Sequence, residues 1–132
     1  MFIIDPLSRT PVYEQIIEQL ERFVLQGVLR PGDQVPSVRS LSVQLGINPN
    51  TILKAFSELS ARGIISAAPG RGYFICTDAQ KTLGLLAHER LGQLQSLCAE
   101  LAQAGITKEE ILQSAAQGFE AGAALWKREE SK

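Results

Sequence analysis

The chain has 132 residues, 45% of them apolar and 20% charged, with a formal net charge of −1. That length allows one domain, or one small domain and an appendage, and that balance excludes a disordered chain. The start, MFIIDPLSRTPVYEQ, lacks the basic region and small-residue cleavage site of a secretory signal, and no apolar run approaches the roughly 20 residues of a membrane span, so a soluble cytoplasmic protein with no membrane partner is expected.

Thr10 reads as the N-cap of a first helix with Pro11 at its first position. Val12, Ile16, Leu20, Phe23 and Val24 then recur at helical spacing until Gly27 ends the element. Leu29-Arg30-Pro31-Gly32-Asp33 is a turn, and Val35 is extended because a residue before proline avoids the helical region. Ser37 caps a short second helix whose apolar side is Val38, Leu41, Val43 and Leu45. Gly46 supplies the left-handed residue of a sharp reversal, and Ile47 tucks inward. Asn48 and Pro49 open a third helix, whose buried stripe is Ile52, Leu53, Phe56 and Leu59 and which Gly63 ends. Strands Ile64–Ala67 and Tyr73–Cys76 follow, joined by Pro69-Gly70-Arg71-Gly72. Two strands alone are marginal, so they must pack on the helices, with Phe74 rather than Tyr73 expected in the core.

After Thr77 a long helix is expected over residues 78–104, carrying Leu83, Leu86, Leu91, Leu94, Leu97 and Leu101. Thr107 and Glu110 form a capping box for a last helix to about Trp126. Two helices cannot bury a core by themselves, and their simplest partner is the same pair from a second copy. Leu91, Leu94, Leu101, Phe119 and Trp126 are therefore the expected homodimer contacts, Trp126 as an aromatic anchor. The fold class is mostly α with a small β-hairpin: a winged helix-turn-helix over residues 1–77 and a two-helix dimerisation segment over 78–132.

The chemistry sits in PSVRSLSVQLGINPNTILKAFSEL, two short helices meeting at a glycine. The second presents small polar and cationic groups at its beginning, as a helix-turn-helix DNA reader does. A chain so near neutrality must bind DNA through where its cations sit, and the first 76 residues carry a net +1 against −2 for the rest. Arg39, beside Ser37, suits a phosphate or the O6/N7 edge of guanine. Asn48 is a cap first. Asn50 and Thr51 offer short polar groups at a helix N-terminus, and Lys54 lies on the same face as Asn50. Arg71, between Gly70 and Gly72, suits a narrow minor groove. Cys76 and Cys98 stand apart and His88 is the single histidine, so no metal site is expected and the thiols read as buried small hydrophobes. No nucleophile with a nearby base, carboxylate pair or phosphate-binding glycine loop is present, so neither an enzyme nor a cofactor is expected.

The run PSVRSLSVQLGINPNTILKAFSELSARGII with GRGYFI resembles the GntR family of bacterial transcription regulators over about residues 8–76, and the short two-helix tail is similar to its YtrA-type subfamily. The resemblance implies a cytoplasmic homodimer that binds double-stranded operator DNA, usually as a repressor. It implies DNA contacts by Arg39 in the second helix, by Asn48, Asn50 and Thr51 in the third, and by Gly72 beside Arg71 in the wing. Many members carry arginine where this chain has Pro49 and Leu53, which shifts the burden to Arg39, Lys54 and the wing. Two other readings stay open: a winged-helix module that contacts protein, and a regulator gated by a small effector of unknown identity bound between subunits.

Overall fold

Ile16, Ile17, Leu20, Phe23 and Val24 line one face of α1 (Val12–Leu25), and that face is buried. In this computed structural model, which describes residues 2–130 and side chains as far as Leu125, α1 packs on α3 (Pro49–Ala61), and α2 (Val38–Leu45) also packs on α3. Thr10 is not the cap of α1. Pro11 holds that position without a side-chain bond, and the Thr10 carbonyl accepts instead from Gln15 Nε2 at 2.9 Å. Gln15 is buried and also exchanges two 2.9 Å bonds with the backbone of Asp5, while Gln19 likewise accepts from the Ile3 N–H and donates to the Ile3 carbonyl. Two glutamines one turn apart thus satisfy the backbone of the N-terminal segment. That segment carries Phe2 into the core, edge-on to Phe23 with ring centroids 5.4 Å apart.

The hairpin consists of β1 (Ile65–Ala68) and β2 (Gly72–Ile75), antiparallel, with Ile65 opposite Ile75 and Ala68 opposite Gly72. Each strand lies one residue from its expected bounds. On its other side β2 is bonded to the extended residues before α2. The Val35 N–H donates to the Tyr73 carbonyl and the Ile75 N–H to the Asp33 carbonyl, each at 2.9 Å. This third segment supports a hairpin too small to stand alone. Ile75 is buried, and a strand's period of two puts Tyr73 on the same face. Tyr73, not Phe74, therefore packs against the core, edge-on to Phe56 at 4.9 Å.

The chain divides into two compact units, the first through Gly84 and the second from Leu85. The first extends into α4 (Ala79–Glu89) because Ala79 and Leu83 are buried in its core. The continuous helix expected over 78–104 is broken: α4 stops at Glu89 and α5 (Leu91–Gln103) starts after Arg90. The Arg90 N–H bonds to the Ala87 carbonyl in a tightened turn, two residues before Gly92, where the missing side chain lowers helix propensity. In the second unit, α5 and α6 (Lys108–Glu130) are joined through Gly105, at φ 91°. Thr107 Oγ1 accepts the Glu110 N–H at 3.2 Å, the capping bond expected of that pair. No side chain of α5 is fully buried, Leu91 and Leu94 are about half exposed, and Leu101 is half-buried. Phe119 is 77% exposed. The Trp126 side chain lies outside the described residues. Among the described residues no helix is long and apolar enough to cross a membrane.

Candidate nucleic-acid interface

Ser37 starts α2 by accepting the Ser40 N–H on Oγ at 3.0 Å, which leaves Arg39 exposed in the first turn. Leu41 anchors the helix from its other side. Val43, expected inside, is 80% exposed, because it falls off the face shared by Val38, Leu41 and Leu45. Gly46 then adopts φ 66° and ψ 35°, and the chain reverses. The Ser42 hydroxyl closes the turn by donating to the Ile47 carbonyl at 2.6 Å, while the Ile47 N–H donates to the Ser42 carbonyl.

Asn48 caps α3, its Oδ1 accepting the Asn50 N–H at 2.8 Å, with Pro49 in the first turn. The amide oxygen of Asn48 is thereby occupied. Asn50 is exposed and Thr51 half-buried. The Lys54 ammonium lies 3.9 Å from the centre of the Tyr13 ring on α1, a cation–π contact. The Tyr13 hydroxyl donates to Glu14, and this bond and the adjacent carboxylate charge raise the tyrosine above its ordinary pKa. At the other end of α3, Arg62 bonds Glu21 of α1 at 3.2 Å and Glu58 at 3.3 Å. α3 is therefore tied to α1 near its middle and at its C-terminal end. Leu53, expected in the buried stripe, is 44% exposed, on the flank of the stripe formed by Ile52, Ala55, Phe56 and Leu59.

At the hairpin tip the Arg71 N–H donates to the Ala68 carbonyl, and Arg71 extends from the turn with its guanidinium 5.9 Å from the centre of the Phe74 ring. Gly72 sits at φ 109°, where a Cβ would come within 3.0 Å of Gln34 Nε2. That Nε2 donates to the Arg71 carbonyl at 2.9 Å, so Gln34 ties the tip to the extended segment preceding α2. Sequence reasoning missed Gln34 and Tyr13. Neither carries a local signal, since each acts on a residue more than 35 positions away in the chain. Cys76 and Cys98, expected buried, are both half-buried, and among the described residues no three His, Cys, Asp or Glu side chains gather as a metal site.

Helix, glycine turn, helix and glycine-flanked hairpin coincide with residues 12–75, which match the family described as bacterial regulatory proteins, gntR family. Over a longer span, the HTH-type transcriptional repressor YtrA of Bacillus subtilis (strain 168) is 42% identical over 113 residues, 84% of this chain and 86% of that protein. This chain belongs to the gntR family. A transcriptional regulator from Oenococcus oeni shares the architecture at 32% identity and a TM-score of 0.69, over 90% of this chain and 99% of that one. The DNA-binding domain of AraR, solved in complex with its operator ORX1, is 30% identical with a TM-score of 0.51, over 56% of this chain and 92% of that one. Within this gntR-family chain, the sequence-based candidates fall on three elements of the first unit: Ser37 and Arg39 at the start of α2, Asn48, Asn50, Thr51 and Lys54 on α3, and Arg71 and Gly72 on the hairpin. Asn50 and Lys54 share one helix face, four residues apart, and Thr51 adjoins Lys54 from three residues before it.

Proposed function

We propose that this gntR-family regulator is a cytoplasmic repressor that binds an inverted-repeat operator as a homodimer. The observation that carries the reading is the start of α3: Asn50 and Lys54 exposed, straight after a left-handed glycine turn. A helix held this way presents an amide and a cation together, which suits docking in a major groove. Arg39 and Arg71 supply contacts from α2 and the hairpin. The half-exposed leucines of α5, with no buried side chain in that helix, support a dimer through the second unit. A two-fold dimer then requires half-sites about one helical turn (roughly 34 Å) or a multiple apart.

Fluorescence anisotropy against operator and scrambled duplexes over a salt series tests this. Arg39→Ala and Arg71→Ala should each weaken operator binding by about 1–3 kcal/mol if they meet bases. Lys54→Ala should weaken all duplexes alike and lower the salt slope by about one. Asn50→Ala should relax preference at one base pair and leave the slope unchanged. Wild-type binding by both arginine variants would turn the reading toward a protein-contacting module.

A further inference from the structure

The buried side of α3 is Ile52, Ala55, Phe56 and Leu59, so at roughly 100° per residue the opposite side is Asn50, Lys54 and Ser57, with Leu53 on its flank next to Ser57 and Asn50. All four are exposed, and Leu53 is the one apolar member. A single exposed leucine is ordinary on a protein surface. One next to Asn50, at the edge of the helix face assigned to the groove, loses its water when that face docks.

We propose that Leu53 reads thymine in the operator through its C5 methyl group. The inference rests on the DNA-reading role proposed above. In the major groove the base pairs differ in donors and acceptors, and thymine alone adds a methyl. Leucine has no donor or acceptor, so the methyl is the one base-edge feature it can distinguish. Pro49, also exposed, brings no side-chain donor, so the first turn offers guanine no cation. Asn50, one turn before Leu53, carries an amide suited to the N6/N7 edge of adenine. Both side chains therefore favour A·T pairs under the first half of α3, with cationic contacts left to Lys54 and the arginines.

Full-length protein is used to select duplexes from a random-sequence pool. The selected duplex is then rebuilt with deoxyuridine replacing one thymidine at a time, which removes the C5 methyl alone. One thymine in each half-site should be sensitive, its replacement weakening binding about fourfold, and about fifteenfold when both half-sites are changed. Leu53→Ala should bind the methylated and unmethylated duplexes equally, with the salt slope of the wild type. Leu53→Arg should move the selected base at that position to guanine. If no thymine is methyl-sensitive, or if Leu53→Ala keeps the sensitivity, the assignment of Leu53 is wrong while DNA binding stands. If the pool yields no enriched duplex, the DNA-reading function fails and the role of Leu53 with it.

Discussion

Gln15 shows how much one buried amide can organise. It bonds three backbone groups of the segment before α1, at Asp5 and Thr10, and so holds a stretch that has no secondary structure of its own. Gln15→Ala leaves those groups without their partner and should cost about 1–3 kcal/mol, measured by urea unfolding. An unchanged midpoint would mean that water replaces the amide without loss. Glu21 makes a prediction about pH. Burial raises its carboxyl above the usual value, outweighing the lowering effect of Arg62 beside it. A raised folded pKa means that protonation favours the folded state. That stabilisation is full below the unfolded value, about 4.3, and is lost as pH rises through the folded one. Glu21→Gln has no such titration, so its stability relative to wild type should be greater at pH 7 than at pH 3. Urea midpoints across that range check the sign, and the reverse trend would show that the Arg62 charge dominates.

Two glycines separate local conformation from packing at the scale of an element. A Cβ at Gly46 or at Gly84 would meet nothing within 4 Å, so substitution tests the backbone alone. Gly46 sits in the left-handed region at φ 66°, and Gly84 lies inside α4. Gly46→Ala should therefore destabilise by about 1–2 kcal/mol, while Gly84→Ala should stabilise by up to about 1 kcal/mol. Thermal unfolding that shifts both variants the same way would contradict this account of the turn. Gly46 also sets the direction in which α3 leaves α2, so its substitution should weaken DNA binding beyond the stability loss. The hairpin obeys a related constraint. A side chain at position 72 would push against Gln34, whose amide ties the tip through the Arg71 carbonyl.

For the whole molecule, each unit has its own reason to hold together or to seek a partner. The first buries Phe2, Ile16, Leu20, Leu41, Phe56 and Leu83 in one core. A chain ending after Gly84 should therefore fold as a monomer with a cooperative transition, and it should bind the operator much more weakly than the full chain, because the second half-site is no longer tethered. The second unit leaves Leu91, Leu94 and Phe119 exposed. Leu94→Asp should dissociate the proposed dimer by placing an unpaired charge in its interface, seen as a halved mass in light scattering at micromolar concentration. A Leu94→Asp protein that keeps the dimer mass would move the interface elsewhere.

Local chemistry was enough to read α1 to α3, the hairpin and α6, and their order. Ser37, Gly46, Asn48 and Thr107 announce helix ends through bonds and backbone angles that involve neighbours only a few residues away, and all four act as their types require. The same locality explains why Arg39, Asn50, Lys54 and Arg71 could be singled out as exposed groups. Where a face was only partly apolar, periodicity misled: Val43 and Leu53 counted as core although packing turns them outward, and Tyr73 took the inward place given to Phe74 because Ile75 is fixed in the core. Leucine spacing likewise carried no sign of the break at Arg90. Gln15 clasping the N-terminal segment, Lys54 resting on Tyr13 and Gln34 holding the hairpin tip join groups far apart in the chain. Such contacts exist only once α1, α3 and the sheet have packed, because it is packing that brings the partners within reach.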